Sequence, residues 1–171
     1  MIEFWSDVIW QQFGAAIDTL ELAILACPES VWQDESQQPQ PWYLAYHTLF
    51  WLDFYISDSI DEVTFAPPQA FTLSEFDDAG LMPERVYSRE ELLAYLAHGR
   101  ERCRRRLREL TLPEARRVIR CGPREFSIVE WLLYNLRHVQ HHAAQLNLLL
   151  RQRVDSSPRW VSRAGQALQE G

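Results

Sequence analysis

The chain has no lysine, and its first 84 residues contain no arginine either. Such a chain offers no dispersed basic surface, and its net charge of −7 speaks against general nucleic-acid binding. Cysteine is scarce. Cys27, Cys103 and Cys121 are odd in number and far apart, which fits neither a disulfide framework nor a thiolate zinc site. No apolar run reaches the ~18–20 residues needed to cross a bilayer, and the N-terminus lacks a basic leader pattern. We therefore expect a cytoplasmic protein with no membrane partner. Repeats and low-complexity tracts are also missing.

What is present is a globular balance, with 47% hydrophobic and 24% charged residues over 171 positions, enough for one domain with a buried core. Charge is unevenly divided. Residues 1–84 carry −15, whereas residues 85–171 hold all 17 arginines and carry +8. Two such halves are expected to pack face to face, within one domain or across a dimer. The crowd of Arg100, Arg102, Arg104, Arg105, Arg106 and Arg108 then reads as a solvated or internally paired face.

Helical period recurs four times. A first helix over about 3–27 places Trp5, Ile9, Phe13, Ile17, Leu20 and Ile24 on one stripe, and Pro28 closes it. A second runs from Pro41 to about 57, apolar nearly all round, so it needs cover on more than one side. We expect a homodimer through this helix. A third begins at Ser88 and a fourth at Ser127. Each opens on a capping box, Ser88 with Glu91 and Ser127 with Glu130. The connection over 58–87 is too long for an ordinary loop and reads as a crossover strap or an active-site cover. Pro113 ends any continuation of the third helix, and residues 111–126 read as a loop with a small hairpin around Cys121-Gly122-Pro123. The expected fold is all-α, a four-helix bundle with a long crossover connection between helices 2 and 3. The bundle domain covers 1–154, and 155–171 form a C-terminal tail that docks through Trp160 and Val161.

Five histidines remain. On a helical wheel of ~100° per residue, His142 and His138 fall about 60° and 100° to one side of the core residue Val139, and His141 points away. Imidazoles at i and i+4 have Cβ atoms about 5–6 Å apart and reach one metal ion at about 2.0–2.1 Å. Val139 stands where the metalloprotease version of this spacing has glutamate. His47 lies among Tyr43, Phe50, Trp51 and Phe54 on the second helix, a face with no carboxylate, so its ring needs a partner from elsewhere. Set beside His138 and His142, it completes a three-imidazole set with open positions, suited to reactive chemistry. His98, among arginines, receives no role.

Two segments carry a family resemblance: Trp42-Tyr43-Leu44-Ala45-Tyr46-His47-Thr48-Leu49-Phe50-Trp51, and Glu130-Trp131-Leu132-Leu133-Tyr134-Asn135-Leu136-Arg137-His138-Val139-Gln140-His141-His142-Ala143-Ala144-Gln145-Leu146. The chain resembles the DinB-like (DNA-damage-inducible, YfiT-type) metalloenzymes over residues 3–153. The resemblance implies a bundle with a long crossover, frequent dimers, and a divalent metal ion held by His47, His138 and His142, zinc or nickel foremost. It implies a metal-dependent enzyme, with a small-molecule substrate and a thiol-dependent S-transferase activity as the leading form, in which a low-molecular-weight thiol serves as cofactor and is presented as thiolate. Tyr43, Trp51 and Trp131 are then expected to wall the pocket, with Asn135 and Gln145 supporting the ligands. A branch fused to an iron-dependent sulfoxide synthase is set aside, because Ala144 replaces its glutamate. No side chain reads as a general base. The alternative is a non-catalytic metal-binding or protein-interaction module.

Overall fold

In the computed structural model, which describes residues 2–36, 38–58, 60–77, 79–80 and 82–169, the periodic segments become helices close to their expected limits. Helix α1 spans Ile2–Ala26, and a single turn, α2, spans Glu29–Trp32. Helix α3 covers Pro41–Ile56, α4 Arg89–Arg108 and α6 Ile128–Val154. Both capping boxes form: the Ser88 hydroxyl accepts the Glu91 amide while Glu91 accepts the Ser88 amide, and Ser127 and Glu130 repeat the exchange. Each cap satisfies amides that the helix itself leaves unpaired and contributes about 1 kcal/mol.

The segment read as a loop differs. Pro113 starts a helix instead of only closing one. Helix α5 spans Leu112–Arg116, with the Thr111 hydroxyl accepting the Glu114 amide. Proline suits a first turn because its missing N–H has no partner there anyway. Strands β1, Val118–Cys121, and β2, Arg124–Ser127, then pair antiparallel with Val118 opposite Ser127. Gly122 turns the hairpin at a φ of +57°, a backbone region that side chains disfavour. The chain is thus mostly helical, with this hairpin as its departure from all-α.

Helices α1 and α3 each pack against both α4 and α6. Phe13, Ile17, Leu20, Leu49, Phe50, Leu96, Val139 and Leu146 meet in the core, and full burial of each such side chain is worth about 1.5–3 kcal/mol. The charge asymmetry resolves within the chain. Arg100 bonds Asp18 and Glu21 at 2.8 and 2.7 Å, Arg102 pairs with Asp53, Arg89 with Glu29, and Arg153 with Asp34.

The apolar circumference of α3 is explained by the connection over 57–88. This strap lays Phe65, Phe71, Phe76 and Tyr87 on Tyr46, Phe50 and Phe54. Phe71 also stacks on Tyr95 of α4 at 4.3 Å. The Tyr46 hydroxyl donates to the Thr72 carbonyl at 2.8 Å, and the Trp32 indole donates to the Tyr87 carbonyl at 3.0 Å. Cover for α3 therefore comes from its own chain.

Residues 164–168 lie on α1. The Ala164 amide donates to the Gln11 carbonyl, the Trp10 indole to the Gln166 carbonyl, and the Gly165 amide to Asp18. Leu168 is buried, whereas Trp160, expected to dock, is 77% exposed. A glycine permits this contact. A Cβ on Gly14 would stand 2.5 Å from that of Ala164, deep inside van der Waals contact. Gly14→Ala is expected to unseat this segment from α1, read as faster proteolytic cleavage within 160–169. Unchanged cleavage would show that α1 shifts to make room.

Candidate metal centre

Helix α3 contributes His47 and α6 contributes His138 and His142. One turn of α6 separates the last two, so their rings meet edge to face at 4.5 Å between centroids. His47 faces them from across the α3–α6 contact, at 5.4 Å from His138 and 4.8 Å from His142. One nitrogen from each ring lies within 4.8 Å of the other two. The three rings expected to converge from separate parts of the chain do so.

Their surroundings select protonation states. The His47 Nδ1 stands 2.6 Å from Glu75 Oε2, which also accepts the Trp51 indole N–H at 2.8 Å. The His142 Nδ1 donates to the Gln145 side-chain oxygen at 2.7 Å. Both partners are oxygens, so each contact places an N–H on Nδ1 and leaves Nε2 as the nitrogen that would face a metal ion. Burial, then the neighbouring His142, His47 and His141 rings, push His138 down to about 3. Burial outweighs the Gln145 bond and brings His142 down to about 4. Two of the three imidazoles are thus neutral, ligand-ready bases at pH 7.

Two polar atoms at this cluster are buried without a hydrogen-bond partner, His138 Nδ1 and Glu75 Oε1. Such atoms ordinarily cost about 1–3 kcal/mol each. Soft-to-borderline nitrogen donors beside a buried carboxylate suit a divalent cation, and a cation there would offset that cost.

The remaining expected residues divide. Tyr43 sits beside the His47 ring, and burial, followed by the adjacent Glu75 carboxylate, suppresses its ionisation. Trp51 packs against His47 and bonds Glu75. Gln145 holds His142. Trp131 and Asn135 do other work. The Trp131 indole donates to the Tyr55 carbonyl at 3.0 Å, and the Asn135 amide donates to the Leu52 carbonyl at 3.1 Å. They satisfy carbonyls near the end of α3, tie it to α6, and so set the spacing of the helices that carry the histidines. His141 is exposed, 5.0 Å from the His142 ring and outside the set of three. His98 is not idle on the surface; its Nε2 lies 3.7 Å from the buried Asp53.

Glu75 is the residue that sequence reasoning missed. It sits on a 3-10 turn, Ser74–Phe76, in the strap, with a side chain only 4% exposed. Burial pushes its carboxyl up, but the bonds from His47 and Trp51, with the Tyr43 hydroxyl nearby, prevail and hold it below the usual carboxylate range. The sole signal was an acid placed beside an aromatic residue, Phe76, in a stretch without periodicity.

The family model described as the DinB superfamily matches residues 12–146. No curated protein and no solved structure matches the chain. Among the described residues, no helix is long and apolar enough to cross a membrane.

Proposed function

The chain belongs to the DinB superfamily, and on that premise we propose that His47, His138 and His142 hold one divalent metal ion, zinc or nickel, in a metal-dependent thiol S-transferase. The four long helices are read as a four-helix bundle with the strap as its crossover. The observation that carries the proposal is the convergence of three ligand nitrogens within 4.8 Å from two helices, with the Nδ1 atoms of His47 and His142 already committed elsewhere.

A metal ion held by His47, His138 and His142 would supply Lewis acidity, which lowers the pKa of a thiol and favours thiolate at neutral pH. The chain's own residues do the rest. Glu75 and Gln145 hold two rings in one tautomer, and Tyr43 and Trp51 form an aromatic wall that limits water beside His47. The buried His138 and His142 rings also stay neutral at pH 7 and are open to a cation.

The test is metal analysis of the purified protein, followed by assays of the loaded protein with low-molecular-weight thiols and a panel of electrophiles. One equivalent of metal and thiol-dependent product formation are expected. Tight metal binding without turnover across the panel would favour the non-catalytic module. Absence of stoichiometric binding would remove both readings.

A further inference from the structure

Glu75 has two oxygens in different situations. Oε2 takes N–H groups from His47 and Trp51, whereas Oε1 is buried without a partner. The carboxylate is also outside the group of side chains whose ligand atoms lie within 4.8 Å of one another, which among the described residues holds only the three histidines. It therefore touches the cluster through His47 and is not itself a ligand.

The strap holds Glu75 firmly. Phe76, its neighbour, packs edge-on against Phe50, Trp51 and Phe54 at 4.9, 5.7 and 5.0 Å. On the other side, Thr72 is bonded by the Tyr46 and Tyr87 hydroxyls. The strap is thus pinned to α3 within a few residues of the carboxylate on both sides. Burying that anion in an aromatic setting is costly, and only N–H donors and nearby positive charge offset it. A carboxylate that fixes a ligating imidazole also makes the ring a better donor.

We propose that Glu75 is a positioning residue for the metal centre, whose carboxylate fixes His47 as an Nε2 ligand and couples docking of the strap on α3 to occupancy of the three-histidine site. This rests on the three-histidine reading above. If strap docking strengthens ion binding, ion binding must strengthen strap docking by the same factor, because the coupling is reciprocal.

The experiment titrates Zn2+ and Ni2+ against a chromophoric chelator in the full chain, comparing the parent with Glu75→Ala, Glu75→Gln and His138→Ala. Hydrogen exchange of strap peptides within 60–77 is followed with and without metal. Glu75→Ala is expected to weaken binding by about 10–100-fold, and Glu75→Gln by less, since its amide oxygen still accepts from His47 Nδ1. Metal should slow exchange in the strap of the parent and not in Glu75→Ala. An unchanged affinity in Glu75→Ala, with affinity lost in His138→Ala, would overturn this proposal and leave the three-histidine site standing. Glutamine performing no better than alanine would overturn the orienting role. A His138→Ala variant that binds like the parent would remove the site and the proposal together.

Discussion

Replacing His138 by alanine is expected to weaken zinc or nickel binding by about sixtyfold to about seven hundredfold, whereas His141→Ala leaves it unchanged. The magnitude follows from ligand arithmetic. Four-ligand zinc sites hold the ion with apparent free energies of about 10–16 kcal/mol, or about 2.5–4 kcal/mol per ligand, and about 1.4 kcal/mol is tenfold. His138 is driven down to about 3 by burial and by the imidazoles around it, so protons do not compete for it at neutral pH. Its loss removes a neutral donor and leaves His142 without its edge-on neighbour on α6. His141 follows the pair in sequence but lies outside the converging set. Competition titration of the two variants side by side checks the contrast. Equal affinities in both would sink the three-histidine assignment.

The same periodicity that made α1, α3, α4 and α6 legible made the His138–His142 pair legible, because both depend on a 3.6-residue repeat and on local capping chemistry. His47 was legible for another reason: an imidazole on an aromatic face requires a partner. That partner was not legible. Glu75 reaches the site through a strap without periodicity, aimed by long-range packing of Phe71, Phe76 and Tyr87, which no local pattern encodes. Trp131 shows a different gap. A wheel records angle and discards distance along the axis, and seven residues before His138 is about 10 Å of helix rise. The indole therefore bonds the Tyr55 carbonyl instead of lining the cluster. An apolar helix surface likewise reveals that something covers it, and the long strap after α3 is what does so here. Asp53 was overlooked because the apolar residues around it dominated the reading of that helix.

That aspartate supports the second large expectation: Arg102→Ala should destabilise the fold by about 3–5 kcal/mol at neutral pH. Asp53 is fully buried between α3 and α4, where Arg102 pairs with one carboxylate oxygen and the Tyr95 hydroxyl donates to the other at 3.2 Å. Burial raises the carboxyl above its ordinary range, and Arg102, His98 and Tyr95 bring it only part of the way back. Without the guanidinium, the charge stays buried with one hydroxyl and a distant imidazole beside it. The sign of the pH dependence follows. A carboxyl raised in the folded state binds its proton more tightly there than in the unfolded chain, so stability is lost as pH rises through the folded pKa. Acidification should therefore shrink the gap between Arg102→Ala and the parent. Adding Asp53→Asn should recover part of the loss, because the double variant no longer buries an unpaired anion. Urea unfolding of the parent, both single variants and the double variant at two pH values measures each part. An Arg102→Ala variant as stable as the parent, or one whose defect grows on acidification, would mean that solvent and not Arg102 neutralises Asp53.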